Sequence, residues 1–482
     1  MLWVALFLPE PSLQIAARGA SDSTLLAVSD GPAHRPVIVA ANGAAREAGV
    51  APGMPLAAAR ALADALVTLA REPAREEAAL GSLAGWAGQF TPTVVVEPCA
   101  GLLLEVAGSL KLFGGLAQLL ARIREGLRQL GYRAALGVAP TPLAAWWLAR
   151  CRAVLPGVRS CSDPAQLRLR LAELPLALLG WPEQTIALFH DLGIKRLGGC
   201  LALPREGLAR RFGPEFVAML DRALGLRPDP RPVYAPPDSF ISRIELPAEA
   251  QDTQALLFPL RRLLSELEGF LRGRGAGVQQ LLLIAEHTRH RRSHVSLGLA
   301  APERNSARLL ELARERLGRV EFPAPVVAIG VRVDTLLPYT PQNASFLPDA
   351  ATQTVHWCQL RERLLARLGE GQVFALQPAD DHRPEKAWQW AGEGAGKVPV
   401  TRSPRPLWLL QQPRPLASRS DMPDYRGPLT LLAGPERIEA GWWDGHLLGR
   451  DYYVARNRRG ELLWVYREHR EGDAWYLHGI FS

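Results

Sequence analysis

The stretch Ala41-Asn-Gly-Ala-Ala-Arg-Glu-Ala-Gly-Val-Ala-Pro-Gly-Met-Pro55 sets the local fold near the start of the chain. The apolar run that precedes it, residues 36–41, predicts a buried strand. Two short helices are predicted after that strand, at 44–48 and 55–67. Gly49 and Gly53 separate these helices, because glycine accepts turn conformations that other residues avoid. We therefore expect a tight connection from a strand to two helices within an α/β unit.

On both sides of this stretch, strands alternate with helices over residues 1–165. Apolar runs predict strands at 1–8, 93–97, 102–106 and 133–139. Helical patterns occupy the intervals 74–88, 109–130 and 142–151. The two strands around Pro98 and Gly101 are predicted to form a hairpin. This alternation predicts an α/β or α+β domain with one central sheet.

The remaining sequence divides into four further parts. Residues 166–235 predict short helices separated by Gly and Pro, ending in a proline-rich linker at 227–232. Residues 238–338 predict strand 239–246, helix 252–272, strand 278–286, strand 293–299, helix 303–317 and strand 325–336, which is the split ferredoxin-like order. Residues 339–404 are expected to be a flexible linker, and the aromatic, alternating residues 405–482 a small β domain. The fold class is thus α+β and multidomain.

Composition excludes several classes of protein. The chain has 482 residues, which at about 150 residues per domain suggests two to four domains. Hydrophobic residues at 48% and charged residues at 22% exclude wholesale disorder and fibrous sequence. The net charge of +8 permits a polyanionic partner without requiring one.

The cysteines and the N-terminal residues indicate the expected cellular location of the protein. The five cysteines form no C-x-x-C pair, which supports neither a zinc ribbon nor a disulfide framework and favours the reducing cytoplasm. The apolar opening stops at Pro9-Glu10 and lacks a basic segment. It therefore predicts a strand rather than a signal sequence or a membrane span, and we expect no membrane association.

The stretch 41–55 resembles the fingers of Y-family translesion DNA polymerases, where an Asn-Tyr-Glu-Ala-Arg-x-x-Gly-Val-x-x-Gly-Met-Pro run faces the incoming nucleotide. Residues 90–97 and 136–140 resemble palm segments of the same family. The resemblance covers about residues 1–338. It implies a palm and fingers at 1–165, a helix-hairpin-helix thumb at 166–235 and a little finger at 238–338.

The resemblance also locates the positions of the family's catalytic acids. Its Asp-x-Asp aligns with Ala5-Leu6-Phe7, and its Ser-x-Asp-Glu aligns with Pro98-Cys99-Ala100-Gly101. Ala5, Phe7, Ala100 and Gly101 thus stand where acids would hold two divalent metals. Of the local acids, Glu97 and Glu105 would lie about 26 Å apart on one continuous strand. We therefore predict a pseudo-polymerase without metal or cofactor; the alternative is an active translesion polymerase with displaced carboxylates.

The nucleotide pocket differs from the family pattern as well. Gly43 replaces the family tyrosine, and Thr141-Pro142 stands where an Asn-Lys pair would contact the triphosphate. Arg46 alone is retained. These losses agree with the absence of the acids.

Residues 434–445 and 450–456 resemble a noncatalytic Y-family-like group that belongs to bacterial damage-inducible mutagenesis cassettes. That resemblance implies an adaptor in SOS-induced translesion synthesis and mutagenesis. The implied partners are primed or damaged DNA, the sliding clamp (the DNA polymerase III beta subunit), a RecA-like protein and an error-prone DnaE-type polymerase.

Two segments are candidate DNA contacts. One is a predicted helix-hairpin-helix turn, where backbone N–H groups could bind phosphate, with candidate residues Gly193, Lys195, Arg196 and Gly198. The other is the tip of a predicted hairpin in the little-finger-like part, with candidate residues Arg289, Arg291 and Arg292. The alternatives are a plain helix connector and a solvated surface.

Two further segments are candidate protein contacts. A degenerate clamp-binding peptide is predicted after the last little-finger strand, with candidate residues Gln342, Ser345, Phe346 and Leu347; an ordinary linker is the alternative, and 372–376 is a second candidate. Adjacent Trp442 and Trp443 are predicted to face opposite ways in a strand, leaving at least one exposed for a partner. Most C-terminal aromatic residues are expected in the core, and a base-stacking platform is a third possibility.

Overall fold

The computed structural model describes the chain except residues 21–22, 99, 289–290, 341–356, 358–359, 362, 366, 370–371, 375, 380, 391–404, 470–471 and 482. The chain forms two compact units, Met1–Arg367 and Leu368–Ser482. Within the described part, no helix combines the length and apolar character needed to cross a membrane.

The first unit contains both strands and helices. Its strands are β1 (Trp3–Phe7), β2 (Leu26–Asp30), β3 (Val37–Ala41), β4 (Val67–Ala70), β5 (Val94–Glu97), β6 (Gly101–Glu105), β7 (Ala135–Ala139), β8 (Phe240–Ala250), β9 (Ala276–His287), β10 (Arg292–Glu303), β11 (Val326–Val333) and β12 (Leu337–Pro338). Its helices are α1 (Pro11–Ala17), α2 (Gly43–Glu47), α3 (Leu56–Leu62), α4 (Pro73–Ala87), α5 (Leu116–Leu130), α6 (Pro142–Val154), α7 (Leu167–Ala172), α8 (Glu183–Asp191), α9 (Leu197–Leu201), α10 (Arg205–Phe212), α11 (Pro214–Leu224), α12 (Thr253–Gly273) and α13 (Ser306–Leu317).

A four-stranded antiparallel sheet, in the order β5-β6-β1-β7, forms the centre of the N-terminal part. Strand β1 is buried on both faces, which explains its unbroken apolar sequence. Trp3 and Ala5 belong to a core with α6 and the helices that follow it. Val4 and Leu6 belong to a second core with α4 and α5.

The prediction of one central sheet for residues 1–165 is wrong. A separate three-stranded sheet, in the order β3-β2-β4, carries the 41–55 segment. The helix predicted at 55–67 ends at Leu62, and the chain then returns as β4, parallel to β2. The helix predicted from 109 begins only at Leu116, because Gly114 and Gly115 adopt positive φ angles before it.

Residues 240–333 follow the predicted element order. Their sheet has the order β10-β9-β11-β8, so each β-α-β unit is split by a strand of the other unit. Helices α12 and α13 share a core with the sheet. Before this sheet, the chain forms the short helices α7 to α11.

The second unit is built from β structure. Its strands are β13 (Leu376–Pro378), β14 (Trp388–Trp390), β15 (Trp408–Arg419), β16 (Met422–Asp424), β17 (Thr430–Ala440), β18 (Leu448–Arg456), β19 (Leu462–Glu468) and β20 (Trp475–Ile480). Six of them form one antiparallel sheet, β16-β15-β20-β19-β18-β17, and β13 pairs with β14. Tyr452, Trp464, Tyr466 and Trp475 are buried, which confirms the predicted core role of these aromatic residues.

Candidate nucleic-acid and partner interfaces

The four positions aligned with catalytic acids meet at one end of the four-stranded sheet. Phe7 and Gly101 are directly opposite each other in the β1–β6 ladder. The Leu8 N–H donates to the Ala100 carbonyl at 2.8 Å, which places Ala100 beside them. Ala5 lies two residues before Phe7 on the same face of β1. We call Ala5, Phe7, Ala100 and Gly101 together the palm site.

Apolar packing and backbone fill the palm site. The Phe7 ring contacts Trp146 edge-to-face, with 5.5 Å between ring centres, and the Arg150 guanidinium lies 5.2 Å from the Phe7 ring centre. Ala5 is buried. A Cβ atom on Gly101 would lie 1.9 Å from the Leu6 carbonyl oxygen, and Gly101 has φ of +152°. Any side chain at position 101 therefore requires β1 to move.

The acid beside the palm site is held by an arginine. Glu97 is opposite Gly101 in the β5–β6 hairpin, and its Oε1 accepts a hydrogen bond from Arg231 at 2.6 Å. The Arg231 Nε also donates to Asp229 Oδ1 at 2.9 Å. Burial raises the pKa of Glu97, and the nearby Arg231 opposes this effect. The proline-rich pattern of residues 227–232 predicts only a linker and gives no signal for these contacts.

Glu105 lies at the opposite end of the same hairpin, across from Trp3. The separation of about 26 Å between Glu97 and Glu105, expected for one continuous strand, is wrong because the chain folds back. Since Glu97 is opposite Gly101, only about four residues, or about 13 Å, separate Glu97 from Glu105 along the hairpin. The described residues include no group of three His, Cys, Asp or Glu side chains arranged to hold a metal ion.

The residues aligned with nucleotide ligands make structural contacts. Arg46 forms an ion pair with Glu10 at 2.5 Å. Thr141 caps α6 by accepting from the Ala144 N–H, and its hydroxyl donates to the Ala223 carbonyl at 2.8 Å. Gly43 is the first residue of α2.

The predicted helix-hairpin-helix turn joins α8 to α9. Gly193 has φ of +74°, and its N–H donates to the His190 carbonyl at 2.9 Å. Lys195 and Arg196 are exposed, and Arg196 also donates to the Glu173 carbonyl at 3.2 Å. Gly198 packs against α7, where an added Cβ would lie 3.0 Å from the Cβ of Ala172. The turn therefore presents two exposed cations, and its DNA contact stays a prediction.

The arginine-rich hairpin joins β9 to β10, and Arg289 lies outside the described residues. Arg291 is exposed, whereas Arg292 forms an ion pair with Glu286 at 3.0 Å. Glu286 also pairs with Arg243 of β8 at 2.8 Å. Sequence reasoning missed Arg243, although the alternation of β8 could have placed it on the open face of this sheet.

The candidate clamp peptide at Gln342, Ser345, Phe346 and Leu347 lies outside the described residues. Of the second candidate, 372–376, residue 375 is also outside them. Clamp binding therefore stays a prediction.

The predicted strand location of Trp442 and Trp443 is wrong. They lie in a turn between β17 and β18, because Gly441 and Gly445 adopt positive φ angles of +89° and +76°. Both rings are exposed, at 77% and 52%, and contact each other edge-to-face with 5.4 Å between centres. Asp444, in the same turn, accepts hydrogen bonds from Arg383 at 3.0 and 2.7 Å.

Comparison with known proteins gives matches along most of the chain. The model of the IMS: impB/mucB/samB family matches residues 20–150. Protein ImuB of Caulobacter vibrioides (strain NA1000 / CB15N) is 30% identical over 462 residues, which cover 90% of this chain and 100% of that protein. DNA polymerase IV of Dehalococcoides mccartyi (strain CBDB1) is 30% identical over 237 residues, covering 47% and 58%. The crystal structure of DinB from Sulfolobus solfataricus aligns with a TM-score of 0.40 and 17% identity, over 70% of this chain and 100% of that chain.

The impB/mucB/samB match and these relatives support a Y-family polymerase-like protein in translesion synthesis. The full-length similarity is more specific. The chain belongs to the ImuB family.

Proposed function

We propose that this protein is a catalytically inactive, polymerase-like adaptor of SOS-induced translesion synthesis. It binds primed or damaged DNA and the sliding clamp, and it recruits an error-prone DnaE-type polymerase. The RecA-like protein ImuA is a further partner. The composition of the palm site is the observation that supports this role.

Nucleotide transfer needs two divalent metals held by carboxylates beside the reacting groups. In the palm site, Phe7 packs against Trp146, and Gly101 lies against the Leu6 carbonyl with no room for a side chain. An active polymerase would have to use displaced acids, such as Glu97 of the β5–β6 hairpin and the nearby Asp229. Both already bind Arg231, so a metal ion would have to displace a guanidinium.

Primer extension tests the proposal directly. The pure protein, with magnesium or manganese, is expected to add no nucleotide to a primed template, and extension is expected once a DnaE-type polymerase is added. Template-dependent extension by the pure protein that Glu97→Gln abolishes would overturn the adaptor function. Glu105→Gln is the matched control, because Glu105 lies at the far end of the same hairpin.

The exposed cations of the α8–α9 turn and of the β9–β10 hairpin support the DNA-binding part of the proposal. Each phosphate contact should contribute about −0.9 to the slope of log affinity against log salt concentration. Lys195→Ala/Arg196→Ala should therefore flatten the slope by up to about 2 units in anisotropy titrations. Arg128→Ala serves as control, since that exposed arginine pairs with Glu125 within α5. A flat, undetectable response of the unaltered protein would remove DNA from the function.

Clamp recruitment is tested by pull-down. Gln342→Ala/Phe346→Ala should lose the sliding clamp while keeping the DnaE-type polymerase, because an extended peptide binds independently of the folded domains. Unchanged clamp capture by this variant would assign clamp binding to another segment.

A further inference from the structure

The turn Gly441–Leu447 presents an exposed pair of tryptophans in the C-terminal unit, where Trp388, Trp390 and Trp408 are exposed as well. Tyr452, Trp464 and Tyr466 of the neighbouring strands are buried. Trp442 and Trp443, by contrast, are 77% and 52% exposed. Tryptophan is among the residues that contribute most to binding energy at protein interfaces. We therefore expect the exposed Trp442 and Trp443 to contact a surface outside the domain.

Several interactions fix the conformation of this turn. Both carboxylate oxygens of Asp444 accept from Arg383, and Oδ2 also accepts from Lys386 at 2.8 Å. The His446 N–H donates to Asp444 Oδ1 at 3.1 Å. Arg383 is only 2% exposed, and its guanidinium lies 5.3 Å from the Trp443 ring centre. The hydrogen bonds from Arg383 keep the pKa of Asp444 well below its usual range.

The backbone of the turn adds to this order. A Cβ atom on Gly441 would lie 1.9 Å from the His446 carbonyl oxygen and 3.0 Å from Arg383 Nη1. The turn is thus packed tightly against the arginine that holds Asp444. Ordering a binding loop before association lowers the entropy cost of binding.

We infer that Trp442 and Trp443 form a preformed anchor that inserts into an apolar, uncharged groove on a protein partner, with Arg383 as its positioning residue. This inference rests on the proposed recruiting function and names the part of the C-terminal unit that performs it.

The local chemistry favours a protein groove over nucleic acid. A single-stranded nucleic acid needs cations for its phosphates and ring faces on which bases stack. Arg383 and Lys386, the cations bound at the turn, are both used by Asp444. The two indole planes meet at 86°, so they do not form a parallel stacking surface. The turn instead presents two exposed, apolar indole rings, which fit a concave apolar surface.

The test measures binding of the full chain to purified DnaE-type polymerase and, separately, to purified ImuA by biolayer interferometry. Trp442→Ala/Trp443→Ala should weaken binding to one of them at least about 30-fold, the loss typical of a hot-spot residue. Trp408→Ala is the matched control, because Trp408 is 70% exposed but lies at the start of β15. This control should stay within about twofold of the unaltered protein, since most exposed residues outside a hot spot contribute little.

Arg383→Gln tests the positioning role. This substitution keeps both tryptophans but removes the two hydrogen bonds from Arg383 to Asp444. The same partner should therefore bind about 5- to 20-fold more weakly, because the two rings remain but the turn is no longer ordered before binding. The circular dichroism signal of the coupled indole pair should change as it does in Trp442→Ala. Unchanged affinity or an unchanged indole signal would overturn the role of Arg383.

The outcomes separate this inference from the proposed function. If the double tryptophan variant binds both partners as tightly as the unaltered protein, the anchor is refuted while recruitment stands. If that variant instead loses DNA binding or self-association, with partner binding unchanged, the anchor is refuted as well. If the unaltered protein binds neither partner, recruitment and anchor fail together.

Discussion

Replacing Gly101 by alanine tests whether the palm site excludes side chains by its backbone. The added Cβ would lie 1.9 Å from the Leu6 carbonyl oxygen and 3.2 Å from Leu8 Cδ1. Gly101 also has φ of +152°, a conformation that L-residues rarely adopt. The variant must therefore change the backbone where β6 pairs with β1.

Two contributions set the expected loss of stability. A non-glycine residue in a sparsely populated backbone region costs about 1–3 kcal/mol. Moving the strand away from the Leu6 carbonyl disrupts at least one or two ladder hydrogen bonds, each contributing about 0.5–1.5 kcal/mol. The free energy of unfolding should therefore fall by about 1.5–6 kcal/mol. At about 2–4 °C per kcal/mol for a cooperative unit of 150–250 residues, this lowers the unfolding midpoint by at least about 3 °C.

Differential scanning calorimetry of the full chain measures this shift. Gly108→Ala is the control, because Gly108 is exposed and an added Cβ there meets nothing within 4 Å. The control should unfold within about 1 °C of the unaltered protein, as most exposed substitutions do. If Gly101→Ala behaves like the control, the palm site can accept a side chain, and the steric argument against a carboxylate at this position is wrong.

Three further predictions concern buried polar groups. Burial lowers the pKa of His478 to about 4 from its usual 6.5, and its Nδ1 lies 2.8 Å from the Tyr452 hydroxyl. The neutral folded-state histidine thus stabilises the C-terminal unit above pH 6.5, and stability should fall as the pH drops toward 4, by about 2 kcal/mol near pH 5. Urea unfolding at pH 5 and above pH 6.5 checks this prediction. A C-terminal transition that does not depend on pH, or the same loss of stability in His478→Gln, would contradict it. Glu266→Ala leaves Arg18, which is 2% exposed, without its carboxylate partner. The free energy of unfolding should therefore fall by about 3–5 kcal/mol. A loss below about 1 kcal/mol in urea titrations would contradict a buried ion pair. Burial raises the pKa of the Cys200 thiol to about 12. This thiol should therefore react with Ellman's reagent near pH 8 only after unfolding. Rapid labelling of Cys200 in the native protein, located by mass mapping, would contradict this prediction.

Much of the architecture could be predicted from local sequence pattern. The order of strands and helices between Phe240 and Val333 follows from periodicity, since each element buries one face against the same core. The pattern failed where neighbours outside the segment decide the structure. Strand β4 (Val67–Ala70) was not predicted, because its strand conformation comes from pairing with β2.

The sequence alone determined which chemical groups stand at Ala5, Phe7, Ala100 and Gly101, because side-chain chemistry is fixed by residue type. Only the tertiary structure decided that Gly101 has no space for a Cβ, that Arg231 binds Glu97 from 134 residues away, and that Trp442 and Trp443 share one exposed turn. Each of these facts depends on contacts between distant parts of the chain. Periodicity and composition describe neighbours along the sequence, whereas packing and ion pairing arise only once the strands and loops have been brought together.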